Sequence, residues 1–352
     1  MTDMKQFFTA GILAWNELHN DRSMPWKKEK DPYRIWLSEI ILQQTRVEQG
    51  RPYYERFIAA YPAITDLAAA PEEEVFRLWQ GLGYYARCKN MLAAARTVAQ
   101  QHQGKFPDTY EGIAALKGVG AYTAAAIASF AYNLPHAVLD GNVYRVLARF
   151  FGIDTPTDTT AGKKLFTQLA QDVLPGQQAG TYNQAIMDFG AVVCKPQTPL
   201  CKSCRLSSQC EAFQKGLTDL VPVKSKKLRI KKRYFYYLLL GKGSLRYVRK
   251  RTGKDIWQNL HEFPMIETPA PVTEAELLAL PAFRALAGPG NLRIESASAE
   301  KKQQLTHQTI HARFLRIGPE NEVLPPEGFR AVSAAGLDRL AFPKIIVDFL
   351  KG

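Results

Sequence analysis

The chain has 352 residues, enough for two domains that each bury a core, and its 46% hydrophobic content marks a globular protein. Lysine and arginine outnumber aspartate and glutamate by 46 to 33, and the net charge of +13 favours a polyanionic partner such as nucleic acid. No apolar run reaches the roughly 18 residues of a membrane span, and the N-terminus carries no secretory signal, so a cytoplasmic, chromosome-associated protein is expected.

In chain order, Phe7, Phe8, Ile12, Leu13 and Trp15 predict an amphipathic helix over 5–19, followed by a loop in which Trp26 stands among the cations Arg22 and Lys27. Asp31-Pro32 starts a second helix over 33–45, with Asp as N-cap and Pro at the first helical position. Ile35, Trp36, Leu37, Ile40, Ile41 and Leu42 surround that helix with apolar groups, and Ser38 and Glu39 are the exceptions. A carboxylate so placed is either paired to a cation or held at a cleft wall, where partial desolvation raises its pKa and makes it a proton donor. Pro71 with Glu72, Glu73 and Glu74 opens another helix, its acids in the first turn. Gly81 and Gly83 end it, and Tyr84-Tyr85-Ala86-Arg87 leads into a long helix closing near Gly104.

Between Leu116 and Asp140 a helix is expected to end at Lys117, with Gly118 in the left-handed conformation, and a second, alanine-rich helix to start near Gly120. Backbone N–H groups at Gly118, Gly120 and Ala121 then face outward at a helix N-terminus, where an anion binds. About twenty residues on, Asp140 stands at the start of a further helix. Helices follow at about 141–151, 159–174 and 178–193, the last carrying Asn183 and Asp188 on an otherwise apolar segment. Cys194, Cys201, Cys204 and Cys210 are spaced C-x6-C-x2-C-x5-C, with Cys88 left over. Four clustered cysteines in a cytosolic protein bind metal more often than they form disulfides, and the spacing leaves zinc and an iron–sulfur cluster both open. From Pro222 onward Lys224, Lys226, Lys227, Arg229, Lys231, Lys232 and Arg233 form a basic linker. Strand patterns follow at 234–240, 244–250 and 303–317, with helices expected at 273–286 and 334–350.

Gly118-Val119-Gly120 opening a helix, with Asp140 beyond it, resembles the helix-hairpin-helix and catalytic aspartate of the endonuclease III superfamily of DNA glycosylases. The run Ser38-Glu-Ile-Ile-Leu-Gln-Gln-Thr-Arg-Val47 is similar to the signature of MutY-type adenine DNA glycosylases, whereas endonuclease III lacks the glutamate. The resemblance implies that Glu39 is the acid that protonates adenine and that Asp140 stabilises or bonds the oxocarbenium-like sugar, held by Tyr122 and Asn142. It implies DNA or substrate contacts at Arg22, Trp26, Gln44, Thr45, Tyr84, Gly118 and Gly120, with Tyr84 and Gln44 wedged into the base stack beside the flipped nucleotide. Asp188 falls where the family has an acidic residue near the site, ordering Glu39, Tyr122 or a water, or stands as a satisfied buried carboxylate. Cys194, Cys201, Cys204 and Cys210 match the loop that holds one [4Fe–4S] cluster, with a structural and DNA-binding role. Tyr122 stands where bifunctional relatives carry a Schiff-base lysine, which implies base excision without efficient strand cleavage. Lys117 departs from the proline common in relatives.

The strand, the hairpin and Trp257 to Glu262-Phe263-Pro264 resemble the Nudix-like domain at the C-terminus of the same family. The stretch after Pro264 lacks the glutamate-crowded helix of a Nudix catalytic box, so recognition rather than pyrophosphohydrolase activity is expected. Leu305-Thr306-His307 aligns with a loop, usually Phe-Ser-His, that senses 8-oxoguanine, which implies that role for Thr306 and His307. The expected fold is therefore multi-domain. A mostly α helix-hairpin-helix glycosylase domain over 1–217, with its hairpin at about 109–133 and an iron–sulfur loop over 194–210, precedes a linker over 218–232 and an α+β Nudix-like domain over 233–352. The expected activity is monofunctional excision of adenine mispaired with 8-oxoguanine or guanine in double-stranded DNA, by a monomer. An endonuclease III-like glycosylase/lyase and a non-catalytic, redox-sensing DNA-binding protein are the alternatives.

Overall fold

The computed structural model describes residues 2–225, 230–287, 293–318 and 325–352. Helices come first: α1 (Thr2–His19), α2 (Pro32–Leu42), α3 (Val47–Ala60), α4 (Ile64–Ala69), α5 (Glu72–Trp79), α6 (Tyr85–Gln101), α7 (Tyr110–Ala114), α8 (Ala121–Tyr132), α9 (Gly141–Phe150), α10 (Thr160–Asp172), α11 (Ala179–Val192) and α12 (Glu211–Gln214). Strands β1 (Lys231–Leu239), β2 (Arg246–Lys250), β3 (His261–Glu262) and β4 (Met265–Thr268) precede α13 (Glu274–Ala279) and α14 (Pro281–Ala287). The chain closes with β5 (Arg293–Ala297), β6 (Lys301–Gln304), β7 (Gln308–Gly318), β8 (Arg330–Val332), α15 (Ala334–Leu337) and α16 (Lys344–Leu350). Two compact units result: Met1–Ala69 with Asn90–Lys227, and Ala70–Lys89 with Leu228–Gly352. Among the described residues no helix is long and apolar enough to cross a membrane.

The first unit is helical for reasons visible along the chain. Asp31 caps α2 by accepting from the Tyr33 amide at 2.9 Å, and Pro32 supplies a pre-set helical φ. From Tyr33 through Ile41 every position of the helix except Arg34 is buried, and the buried positions are apolar apart from Ser38 and Glu39. It leaves the helical path at Gln43, and Gln44 takes a φ of 55°, so α2 ends three residues earlier than expected. In α8 the run from Thr123 to Ser129 is fully buried, which small side chains permit against α2, α7 and α11. The core joins Phe8 and Trp15 of α1 to Phe150 of α9, Phe166 of α10 and Phe189 of α11. Helices α3 and α4 were not evident in the sequence.

In the second unit a mixed sheet runs β4-β1-β7-β5, with β6 also on β7; β1 and β7 are parallel and the other pairs antiparallel. A small sheet, β3-β2-β8, accompanies it. Its carboxylates are bound by arginines: Arg233 donates to Asp255 and Glu267, and Arg249 and Arg251 donate to the buried Glu262. Each helix expected over 273–286 and 334–350 is instead a pair of short ones. Pro281 and Pro343 remove an amide and exclude the helical conformation from the residue before them. Of the basic linker, Lys226, Lys227 and Arg229 lie outside the described residues.

Helix α11 crosses the first turn of α9 at Gly190, where a Cβ would stand 2.7 Å from the Asn142 Cβ and 3.1 Å from its carbonyl oxygen. Gly190→Ala is therefore expected to lower stability by about 1–3 kcal/mol through overpacking, read as a reduced midpoint in thermal unfolding.

Candidate active site

A cleft of about 810 Å³ opens in the first unit between the end of α2, the hairpin before α8 and the start of α9. Each element delivers its groups by a local rule. The last turns of α2 bring Glu39, and the exit from the helix brings Gln43, Gln44 and Thr45. The hairpin brings Gly118 and Gly120, and then Tyr122. Helix α7 ends at Ala114, three residues before the expected Lys117, because a turn over 115–118 makes the reversal. Gly118 adopts a φ of +81° over Asn90, where a Cβ would come within 2.7 Å of the asparagine Cβ. Asp140 is the N-cap of α9, accepting from the amides of Asn142 at 2.9 Å and Val143 at 2.8 Å.

Two of the three carboxyl groups lining the cleft, those of Glu39 and Asp140, sit in different surroundings. Glu39 is buried in the apolar wall of α2, and burial pushes its carboxyl up to about 7, with the negative Asp140 adding to the rise. The Tyr122 hydroxyl donates to Glu39 and opposes that rise, and the phenol itself is pushed well above its ordinary range. Asp140 is also raised by burial. Against this work its two amide donors, the Asn142 Nδ2 at 2.7 Å and the nearby Arg145 charge. Glu39 thus has one neutral donor, while Asp140 has three donors and a cation.

Below Asp140, two arginines one turn apart on α9 extend the network. Arg145 donates to Asn142 Oδ1 at 2.8 Å, to the Gly190 carbonyl at 2.6 Å and to the Cys194 carbonyl at 2.7 Å. Arg149 donates to the carbonyls of Lys195 and Thr218 at 2.7 and 2.9 Å, and its Nη1 lies 3.5 Å from Cys194 Sγ. The four cysteines of the loop line one apolar cavity of about 30 Å³. Among the described residues no group of His, Cys, Asp or Glu converges to hold a single ion, as tetrahedral zinc with Zn–S distances of about 2.3 Å requires. Burial, and then the neighbouring thiols, push the Cys204 thiol up to about 11, and Cys201 and Cys210 move the same way. Four thiols around a space, with a buried arginine beside them, fit a polynuclear group that takes them as thiolates. Cys88 lies apart in the second unit, buried, its thiol raised.

The other residues singled out in the sequence fall in three places. Arg22 and Trp26 line the cleft, Trp26 packing edge-on against Tyr54 at 5.2 Å. Asp188 lies wholly buried behind it and meets neither expected partner, Glu39 or Tyr122, because four other donors saturate it: Asn20, Arg22, Lys27 and Gln184. In the second unit Tyr84, at a φ of 51° and half exposed, shares a hydrogen bond with the Thr306 hydroxyl. Thr306 and His307 form the exposed turn of the β6–β7 hairpin. Sequence reasoning passed over Met24, Gln184 and Met187 of the cleft and the buried pair Arg145 and Arg149. The signal for that pair was present: two arginines four apart on a helix whose other face residues are apolar.

Glu39 generates a stability prediction with a definite sign. Its folded pKa, about 7, lies above the ordinary 4.5, so the folded state loses stability as pH rises from 4.5 through 7. Glu39→Gln is expected to be more stable than the parent at pH 8, with the gap closing below about pH 4.5. Chemical denaturation at the two pH values measures it.

Residues 37–171 match the family of HhH-GPD superfamily base excision DNA repair proteins, and residues 236–352 match the NUDIX domain. Over 262 residues the chain is 35% identical to the adenine DNA glycosylase of Buchnera aphidicola subsp. Schizaphis graminum, covering 74% of this chain and 75% of the relative. It is 41% identical over 218 residues to the mouse adenine DNA glycosylase, covering 59% of this chain and 42% of that one. Among solved structures, a thermostable thymine-DNA glycosylase superposes with a TM-score of 0.57 at 29% identity, covering 61% of this chain and 98% of that one. A non-covalent endonuclease III–DNA complex superposes at 0.52 and 21% identity, covering 60% and 98%, and shares the fold. With Glu39 and Asp140 lining one cleft of a helix-hairpin-helix unit and a NUDIX match later in the sequence, the chain belongs to the adenine DNA glycosylase family.

Proposed function

We propose that the protein is a monofunctional glycosylase that excises adenine from double-stranded DNA in base excision repair, acting on adenine opposite 8-oxoguanine or guanine. The observation that carries this reading is the pairing of Glu39 and Asp140 in one cleft under unequal surroundings. Two carboxyl groups whose environments differ divide the roles of acid and anion. Glu39, with its proton retained near neutral pH, protonates the adenine ring and makes it a leaving group. Asp140, held by Asn142 and the first amides of α9, stabilises the oxocarbenium-like sugar or bonds it transiently. Tyr122 keeps the two carboxyls oriented and separate in protonation.

The outer steps use the same cleft. The amides at Gly118 and Gly120 anchor a backbone phosphate while the adenosine flips into the cleft between Trp26 and the end of α2. Gln44 and Thr45, at the exit of α2, and Tyr84 serve the DNA side. Thr306 and His307, on their exposed turn, read the partner base. Among the described residues lining the cleft there is no lysine, and the nearby Lys27 ammonium is held by Asp188 at 3.1 Å and by the Arg22 carbonyl at 2.7 Å. Among the described residues lining the cleft no primary amine is therefore poised for Schiff-base chemistry, which favours base removal alone. Cys194, Cys201, Cys204 and Cys210 hold one [4Fe–4S] cluster. When bound, the cluster cross-links its loop and supplies one-electron redox chemistry. The protein works as a monomer at the chromosome.

The test is a labelled duplex with one adenine opposite 8-oxoguanine, incubated and split into alkali-treated and untreated halves. Strand breaks only after alkali, with the single-turnover rate reduced at least ~10²-fold by Glu39→Gln at unchanged duplex binding, are expected. Breaks without alkali would contradict the monofunctional assignment, and no breaks from a protein that binds the duplex would end the enzyme reading. The rate should also fall as pH rises above about 7, where Glu39 loses its proton.

A further inference from the structure

Asp140 caps α9, so the helix fixes the chain that follows it, but the residues before it, 134–139, belong to no helix or strand. Main-chain groups of this segment are met by side-chain amides from two neighbouring helices. Gln171 of α10 donates to the Pro135 carbonyl at 2.8 Å and accepts from the Ala137 amide at 3.1 Å. Asn183 of α11 donates to the His136 carbonyl at 2.8 Å and accepts from the Val138 amide at 3.2 Å. Each side chain thus takes a carbonyl and the N–H two residues on, as one residue of a parallel strand would, and the two serve alternate residues.

Asn183 is buried, and its neighbours fix which way its amide turns. Its second N–H goes to the Ser129 hydroxyl at 2.9 Å, and Ser129 spends its own proton on the Ala126 carbonyl at 3.3 Å. That hydroxyl is left as an acceptor, so Asn183 turns its NH₂ towards Ser129 and His136 and its oxygen towards Val138. The reach comes from close helix packing. At Gly180, one turn earlier on α11, a Cβ would stand 2.5 Å from the Ser129 carbonyl oxygen. Asp140 lies two residues beyond Val138 with extended backbone, at a φ of −101° and a ψ of −178°, so a slide of the segment passes directly to its carboxylate. We propose that Asn183, with Gln171 on the outer side, is a positioning residue for Asp140: it holds the incoming segment where the carboxylate meets the sugar. Neither residue lines the cleft. The inference rests on the adenine-excision reading, in which Asp140 faces the oxocarbenium-like sugar, and adds to it the groups that set the approach of that carboxylate.

The experiment follows single-turnover excision of adenine opposite 8-oxoguanine by the full chain, reading rate constant and amplitude separately, together with the affinity for two duplexes that are not cleaved. One carries 2′-fluoroadenosine and mimics the substrate. The other carries a pyrrolidine nucleotide, whose ring cation stands in for the sugar of the transition state. Asn183→Ala is expected to lower the rate constant about tenfold at the amplitude of the parent. Affinity for the pyrrolidine duplex should fall by a similar factor, and affinity for the 2′-fluoro duplex should stay within about threefold of the parent. Gln171→Ala, at the surface, should act in the same direction with a loss of about threefold in rate. A reduced amplitude at the rate constant of the parent would mean only less folded protein, and equal weakening of both probes only poorer binding; either result overturns the proposal. If Asn183→Ala does not fold, Gln171→Ala decides: a slower rate with weaker pyrrolidine binding supports the assignment, and parent values for both overturn it. A parent protein that binds duplex but removes no adenine would instead mark the failure of the glycosylase reading itself.

Discussion

Two buried guanidinium groups on α9 fix the geometry on which the cleft depends. Arg145 and Arg149 spend their donors almost entirely on main-chain carbonyls, those of Gly190 and Cys194 at the end of α11 and those of the loops around 195–196 and 218–221. The carbonyls that end a helix have no partner within it and carry partial negative charge, so a cation there both caps α11 and ties it to α9. Hydrogen bonds of this charged kind contribute about 1.5–3 kcal/mol each, and losing one side leaves several buried carbonyls unsatisfied. Through Asn142 the same arrangement reaches Asp140. The Asp140 carboxylate and the loop that carries the cysteines are thus set by one rigid helix face.

The carboxyl pair shows how one cleft keeps two acids distinct. Both are raised by burial, so neither is an ordinary surface carboxylate. What separates them is the supply of donors. A helix N-terminus gives Asp140 two amides without any special side chain, while Glu39, in the middle of α2, has its own backbone amides consumed by the helix and depends on the Tyr122 phenol. The asymmetry follows from where each residue falls in its helix. A phenol in place of an amine at 122 suits this arrangement: it hydrogen-bonds Glu39 without adding a positive charge that would draw the proton off.

Much of this was legible in the sequence. Asp31-Pro32, the apolar α2 with its lone Glu39, the Gly-Val-Gly turn and the cysteine spacing each express a local rule, and local rules survive folding. The family and the two-part fold were legible for the same reason. The misreadings have physical sources. Helices expected over 273–286 and 334–350 broke at Pro281 and Pro343, where a proline signal was outweighed by an apolar pattern. Helix α3 was missed because its apolar stripe is thin and Pro52 lies inside it. Asp188 was read either as ordering Glu39, Tyr122 or a water or as a satisfied buried carboxylate, and the choice turns on contacts remote in the chain. Three of its four partners, Asn20, Arg22 and Lys27, are more than 150 residues away in the chain, and no local pattern announces them. The grouping of residues 70–89 with the C-terminal unit is equally non-local.

The parallel pairing of β1 with β7 joins Lys231–Leu239 to Gln308–Arg316, so the centre of the second unit's sheet closes only when a segment about 75 residues downstream exists. During synthesis β1, with Tyr234-Phe235-Tyr236-Tyr237-Leu238-Leu239, emerges long before its main partner. Non-local pairing of this kind is slow, and an unpaired aromatic strand is a template for self-association. Lys231, Lys232 and Arg233 stand at its head, charges of the type that keep such strands apart until they can pair. Arg233 later becomes the anchor for Asp255 and Glu267, so the same residue that shields the nascent strand locks the finished sheet.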